Sequence, residues 1–169
     1  MAERFQTRIP GLTLRFAIEP DVGTILGFIR ELAEYEKLSH EVVATEDTLR
    51  ASLFQGRQVA EVILAEFQGS AVGFALFFHN FSTFLGQPGI YLEDLYVTPA
   101  MRGKGVGTTL LSFLARLASE RGCGRLEWAV LDWNQPAITF YKNLDAQPMD
   151  EWTVFRLTGP ALSALADRF

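Results

Sequence analysis

The stretch from Val97 to Leu111, VTPAMRGKGVGTTLL, limits the fold of this chain more than any other segment. A strand-like run, IYLEDLYV (residues 90–97), leads into three closely spaced glycines, Gly103, Gly105 and Gly107. An apolar helix pattern then places Leu110, Phe113, Leu114, Leu117 and Ala118 on one face. A glycine-rich loop that opens a helix exposes backbone N–H groups at the positive end of the helix dipole, which suits an anion. Two common phosphate patterns do not fit. A P-loop needs four residues between its first glycine and a Gly-Lys-Ser/Thr unit, yet Lys104 is followed by Gly105. A dinucleotide fingerprint starting at Gly103 needs a third glycine where Thr108 stands, and residues 98–102 separate the loop from the strand.

The remaining periodicities predict alternating strands and helices. Residues 12–18 alternate as a strand, and a helix follows from Asp21 with Ile25, Phe28, Ile29 and Leu32 on one face. Thr45 caps a second helix, which Gly56 closes. Strands over residues 59–67 and 72–80 meet at a tight Gln68-Gly69-Ser70 turn. Residues 81–89 read as irregular, and residues 125–131 as a strand. A short helix starts at Gln135-Pro136, residues 152–157 read as a last strand, and the tail as a helix.

At 169 residues, with 49% hydrophobic and 21% charged, the chain suits one domain over residues 1–169, an α/β (α+β) fold around a mixed sheet. The net charge of −5 argues against a nucleic-acid surface. Cys123 is the single cysteine, so no internal disulfide or cysteine metal cluster is available, and a reducing, cytoplasmic setting is expected. The start, MAERFQTR, is unlike a secretory signal, and the apolar run at residues 71–78 is too short for a bilayer. His40 and His79 are isolated, so no metal is expected, and Cys123 reads as structural.

What the glycine loop does match is Arg102-x-x-Gly105-x-Gly107 preceded by Val97-x-Pro99, which resembles the acyl-CoA pyrophosphate loop of the GNAT superfamily of N-acetyltransferases. The resemblance narrows through four motifs in order: LAEYEKL (32–38), YLEDLYV (91–97), RGKGVG (102–107) and AVLDWNQPAITFYK (129–142). Together they are similar to the diamine acetyltransferases, the spermidine/spermine enzymes and their thialysine-acetylating relatives, with RELAEYEKLS and AVLDWNQ nearer the thialysine branch. The resemblance implies a mostly antiparallel mixed sheet, splayed at an acetyl-CoA site and flanked by helices. It also implies a small-molecule amine substrate, direct acetyl transfer without a metal, and a homodimer.

Specific roles follow from the resemblance. Glu93 sits in an apolar strand, where a carboxylate is costly without a partner or a task. It matches the family position that binds and deprotonates the amine, whereas Asp94, on the opposite face of a regular strand, is structural or secondary. Tyr141 matches the acid that protonates the departing thiolate. Cofactor contacts would come from Leu95, Tyr96 and Val97, from the loop Arg102, Gly103, Lys104, Gly105, Val106, Gly107 and Thr108, and from Asn134, Gln135, Pro136, Ala137 and Tyr141. The amine would meet Tyr35, Glu36, Glu93, Glu127, Trp128 and Ala129, although AEYEK reads equally as a solvated helix face. Polyamine-type members carry an acid and a Trp in the loop after the third strand. Here Ser82 and Phe84 stand near those places, which favours a shorter or amino-acid-like amine. The rivals are a GNAT enzyme acting on a peptide or antibiotic amine, a non-catalytic acetyl-CoA sensor, and a nucleotide-binding module.

Overall fold

The computed structural model describes residues 3–169. Alternating segments pair in chain order into one six-stranded sheet: β1 (Arg4–Gln6), β2 (Leu12–Phe16), β3 (Glu61–Phe67), β4 (Ser70–Ser82), β5 (Gln87–Val97) and β6 (Leu126–Trp128). The first five are antiparallel to their neighbours, while β6 runs parallel to β5. That last crossover is carried by helix α3 (Val106–Glu120), so the sheet is mixed and not closed. The chain separates into two units, one ending at Ala129 and the other Val130–Phe169. The sheet, α1 (Val22–Tyr35), α2 (Glu46–Phe54) and α3 belong to the first, and α4 (Gln135–Lys142) and α5 (Gly159–Ala166) to the second.

Local chemistry explains the element ends. The β3–β4 hairpin turns on Gln68 (φ 51°) and Gly69 (φ 84°), the left-handed pair that matches strand twist in a two-residue loop. Thr45 caps α2 by accepting from the Thr48 N–H at 3.2 Å. A 3-10 turn at Glu19–Asp21 precedes α1, in place of a helix starting at Asp21.

Three expectations change, and one strand is unexpected. Residues 81–89 are largely strand, because β4 and β5 extend to Ser82 and from Gln87, leaving a tight turn in which Gly86 N–H bonds Ser82 O at 2.8 Å. The strand expected over residues 125–131 forms only at Leu126–Trp128. Residues 152–157 form no strand, and Trp152, Val154 and Phe155 are exposed. Strand β1 lacked a readable signal because three residues are too few to show alternation.

Both sheet faces are packed. On one, Ile25 and Phe28 of α1 and Leu53 of α2 meet Val62, Leu64, Phe74 and Tyr96. On the other, Phe113 of α3 packs against Phe5 and Phe16 at ring distances of 4.8 and 6.2 Å. Each fully buried Phe or Leu in these layers contributes roughly 1.5–3 kcal/mol relative to exposure. Phe74, Phe77, Leu110 and Leu114 are all buried to this degree. The two helical layers clamp β5 from either side, and β5 carries the candidate site.

Candidate active site

Strand β5 departs from regular pairing at Glu93. Opposite β4, Leu76 faces Asp94 but Phe77 faces Leu92, so Glu93 is the extra residue of a β-bulge. The slip breaks the alternation. Leu92 stands with Phe77 on the α3 side, and Asp94 stands with Tyr96 on the α1 side. Pairing with β6 covers Ile90–Leu92 and ends there, so among the described residues β5 has a neighbour from Glu93 to Val97 only on its β4 side. Thr98 N–H donates to Val72 O of β4 at 2.9 Å. Backbone N–H direction alternates along a strand, so the Leu95 and Val97 groups point to the opened edge.

Beyond the edge, Gly103 (φ 72°) and Gly105 (φ 83°) turn the chain through left-handed conformations, and Gly105 is the N-cap of α3. No side chain caps this helix start, which leaves the first-turn N–H groups of Val106, Gly107 and Thr108 to an outside acceptor. Thr109 N–H begins the helical ladder on Gly105 O at 2.9 Å. Lys104 is exposed beside this start. The donor set, with positive helix dipole and adjoining cation, fits a diphosphate group.

Acidic groups gather on the α1 side. Burial first, and then the charges of Glu93 and Glu36, push the Asp94 carboxyl up to about 6 from an ordinary 3.8. Burial also raises Glu36. Glu93 itself is exposed at the bulge. Glu36 directly follows α1, whose end is fixed by a left-handed Lys37 (φ 63°) and a Leu38 N–H bond to Ala33 O at 2.8 Å. The buried Tyr96 donates its hydroxyl proton to Glu31 Oε2 at 2.7 Å, and burial followed by that carboxylate raises its pKa. Arg102 donates from Nε to Val97 O at 2.9 Å, and its guanidinium carbon lies 4.9 Å from the Tyr35 ring centre and 5.5 Å from that of Tyr96.

The remaining expected contacts are distributed differently. Glu127 accepts from Asn80 Nδ2 and lies against Arg125 Nε, each at 2.8 Å, so this carboxylate is already partnered. The Arg125 contact is an ion pair without an aligned hydrogen bond from Nε. Paired positions put Glu127 beside Tyr91 and Trp128 beside Leu92, on opposite faces, with Ala129 exposed just beyond the strand. Ser82 is buried at the end of β4 and Phe84 is 91% exposed at the turn.

In the second unit, Asn134 is buried and its Oδ1 accepts from Ala137 N–H at 3.3 Å, which makes it the N-cap of α4. Gln135 and Pro136 open that helix. Tyr141 lies in its last turn, half-buried, with its ring 5.3 Å from that of Phe140. No three His, Cys, Asp or Glu side chains among the described residues could hold a metal, and no described helix is long and apolar enough to cross a membrane.

The acetyltransferase (GNAT) family profile matches residues 29–145, which include the bulged strand and the glycine-opened helix start. The chain belongs to the GNAT acetyltransferase family. It is 45% identical over 166 residues to the thialysine N-epsilon-acetyltransferase of Mus musculus, covering 92% of this chain and 97% of that protein. It is 34% identical over 197 residues to the L-ornithine N5-acetyltransferase NATA1 of Arabidopsis thaliana, covering 90% and 86%. Among solved structures, an integron cassette protein from the mobile metagenome of V. cholerae superposes with a TM-score of 0.78 at 28% identity, covering 92% and 98%. These relatives agree with the resemblance to diamine acetyltransferases nearer the thialysine branch, and with an enzyme that acetylates the amine of a small substrate.

Two side chains beside the candidate site carry no clear signal in the sequence. Regular alternation separates Asp94 from Glu93, and a bulge is a property of the pairing partner rather than of the strand. Glu31 had no signal beyond a charge on a helix, since its partner Tyr96 is 65 residues away.

Proposed function

We propose that this acetyltransferase moves the acetyl group of acetyl-CoA to the terminal side-chain amine of a thialysine-type amino acid. The observation that carries the proposal is the crowding of Glu93, Asp94 and Glu36 beside the opened edge of β5, next to an uncapped helix start. A negative patch at a carbonyl-binding edge draws a protonated amine to the place where it must react.

Bound acetyl-CoA supplies an activated thioester. The N–H groups of Val106, Gly107 and Thr108 would hold its diphosphate, with Lys104 adjoining. The Leu95 and Val97 N–H groups would hold the acyl carbonyl, and a donor aimed at developing negative charge is worth about 3 kcal/mol in comparable sites. At neutral pH only about one alkylamine in a thousand is uncharged, so a proton must be removed before attack. Glu93, exposed at the bulge, takes it directly or through water, while Asp94 and Glu36 keep the cation close. Tyr141 returns a proton to the leaving thiolate. We further propose that the enzyme works in the cytoplasm as a homodimer, as the diamine acetyltransferase resemblance implies.

Free-thiol release from acetyl-CoA tests this against thialysine, lysine, ornithine, spermidine, an aminoglycoside and a short peptide. Thialysine should be turned over well above spermidine. Glu93→Gln and Tyr141→Phe should each lower kcat by about a hundredfold while acetyl-CoA binding persists. Preferential turnover of the peptide or the aminoglycoside would refute the substrate assignment.

A further inference from the structure

The side chain of Arg102 stands apart from the anion-binding loop that it opens. Its Nε is committed to Val97 O, the last carbonyl of β5. Its guanidinium stands over two phenol rings, 4.9 Å from the centre of Tyr35 and 5.5 Å from that of Tyr96. Those rings differ in how firmly they are held. Tyr96 is 5% exposed, lies 5.8 Å from the Phe28 ring, and is anchored by its bond to Glu31. Tyr35 is 38% exposed at the last residue of α1, immediately before Glu36. The cation therefore spans from a fixed ring in the core to a surface ring that borders the acidic group.

We infer that Arg102 is a positioning residue for the acceptor amine, tying the end of α1 to the end of β5, and does not act as a ligand of the diphosphate. A planar guanidinium suits this task because it can lie against aromatic faces while still donating in its own plane. With the contact in place, Tyr35 and Glu36 keep a fixed relation to Asp94 and the opened edge. The end of α1 is also held by its backbone cap at Lys37 and by the Glu31–Tyr96 bond, but the Arg102 contact reaches the Tyr35 ring itself. The inference rests on the acceptor-side reading of Tyr35 and Glu36 given above.

The experiment compares wild type, Arg102→Ala, Arg102→Lys, Tyr35→Leu and the Arg102→Ala/Tyr35→Leu double variant. Acetyl-CoA Kd is measured by calorimetry without acceptor, and kcat and KM for thialysine at saturating acetyl-CoA. Arg102→Ala should raise the acceptor KM about tenfold and leave the acetyl-CoA Kd within about twofold. Arg102→Lys should not restore the KM, because an ammonium cannot reproduce the planar contact. In the Tyr35→Leu background the Arg102→Ala effect should shrink to below about twofold, the non-additivity expected of touching groups. A phosphate ligand gives the opposite pattern: weaker acetyl-CoA binding, an unchanged acceptor KM, and rescue by lysine. That pattern, with wild type active on thialysine, overturns this inference alone. A wild type that binds acetyl-CoA but turns over none of the amines overturns the proposed function and this inference together. If Arg102→Ala does not fold, Arg102→Lys, alone and combined with Tyr35→Leu, carries the same comparison.

Discussion

Replacing Asp94 by Asn should make the protein more stable and less active, with a gain in stability that depends on pH. The Asp94 carboxyl is held up to about 6 against an ordinary 3.8, first by burial and then by the charges of Glu93 and Glu36. For an acid with a raised pKa the folded chain binds the proton more tightly than the unfolded chain. Stability therefore falls as pH rises between those two values, and the loss levels off above the upper one. At ~1.4 kcal/mol per tenfold in proton affinity, the ionised group costs about 3 kcal/mol at pH 7. At pH 5 most folded molecules hold the proton, and the same linkage leaves roughly half that cost. Asn keeps the shape and removes the charge, so Asp94→Asn should gain these amounts in urea denaturation at the two pH values. For a chain of this size the pH 7 gain corresponds to a Tm rise of roughly 6–12 °C. Turnover should fall in the same variant, the usual exchange between stability and a strained polar site. An equal gain at both pH values, or a loss at pH 7, would refute the assignment of a desolvated, charge-crowded carboxylate at the bulge.

Two further outcomes concern the loop and the sheet. Gly105→Ala places a Cβ at φ 83° and 3.3 Å from Ile9 Cδ1, so it should cost about 1–2 kcal/mol in denaturant melts and weaken acetyl-CoA binding measured by calorimetry. Burial alone would raise the Glu66 carboxyl, but bonds from Arg15 and Arg4 bring it below the ordinary range. Its contribution is present above the unfolded pKa and is lost as pH falls through the folded one. Glu66→Gln should therefore lower stability at pH 7 and do so progressively less on acidification below pH 4, read from urea midpoints.

What could be read directly from the chain was whatever depends on near neighbours. The Thr45 cap, the Gln68-Gly69 turn and the glycine-opened helix each rest on a few adjacent residues with special backbone or side-chain chemistry. The helix faces were legible too, because 3.6-residue periodicity is local: Ile25, Phe28, Leu110 and Leu114 are all buried. What depends on a distant partner was not. The bulge at Glu93 exists only in the pairing with β4, and it sets Leu92 and Asp94 on opposite faces although they are two residues apart. The contact of Arg102 with Tyr35 joins segments far apart in sequence, so a motif reading assigns its charge to the loop it opens. Residues 152–157 show the converse error. Alternation in WTVFRL marks a segment able to form a strand, but strand formation needs a paired edge that the sequence does not display.

The central claim is acetyl transfer to the terminal side-chain amine of an amino acid, and the identity of the product tests it most directly. The enzyme would be incubated with acetyl-CoA and thialysine, and the product mapped by tandem mass spectrometry. The account predicts one acetyl group, on the side-chain nitrogen, formed in step with free CoA thiol. Acetylation at the α-amino group, or thiol release with no acetylated amine, would contradict it.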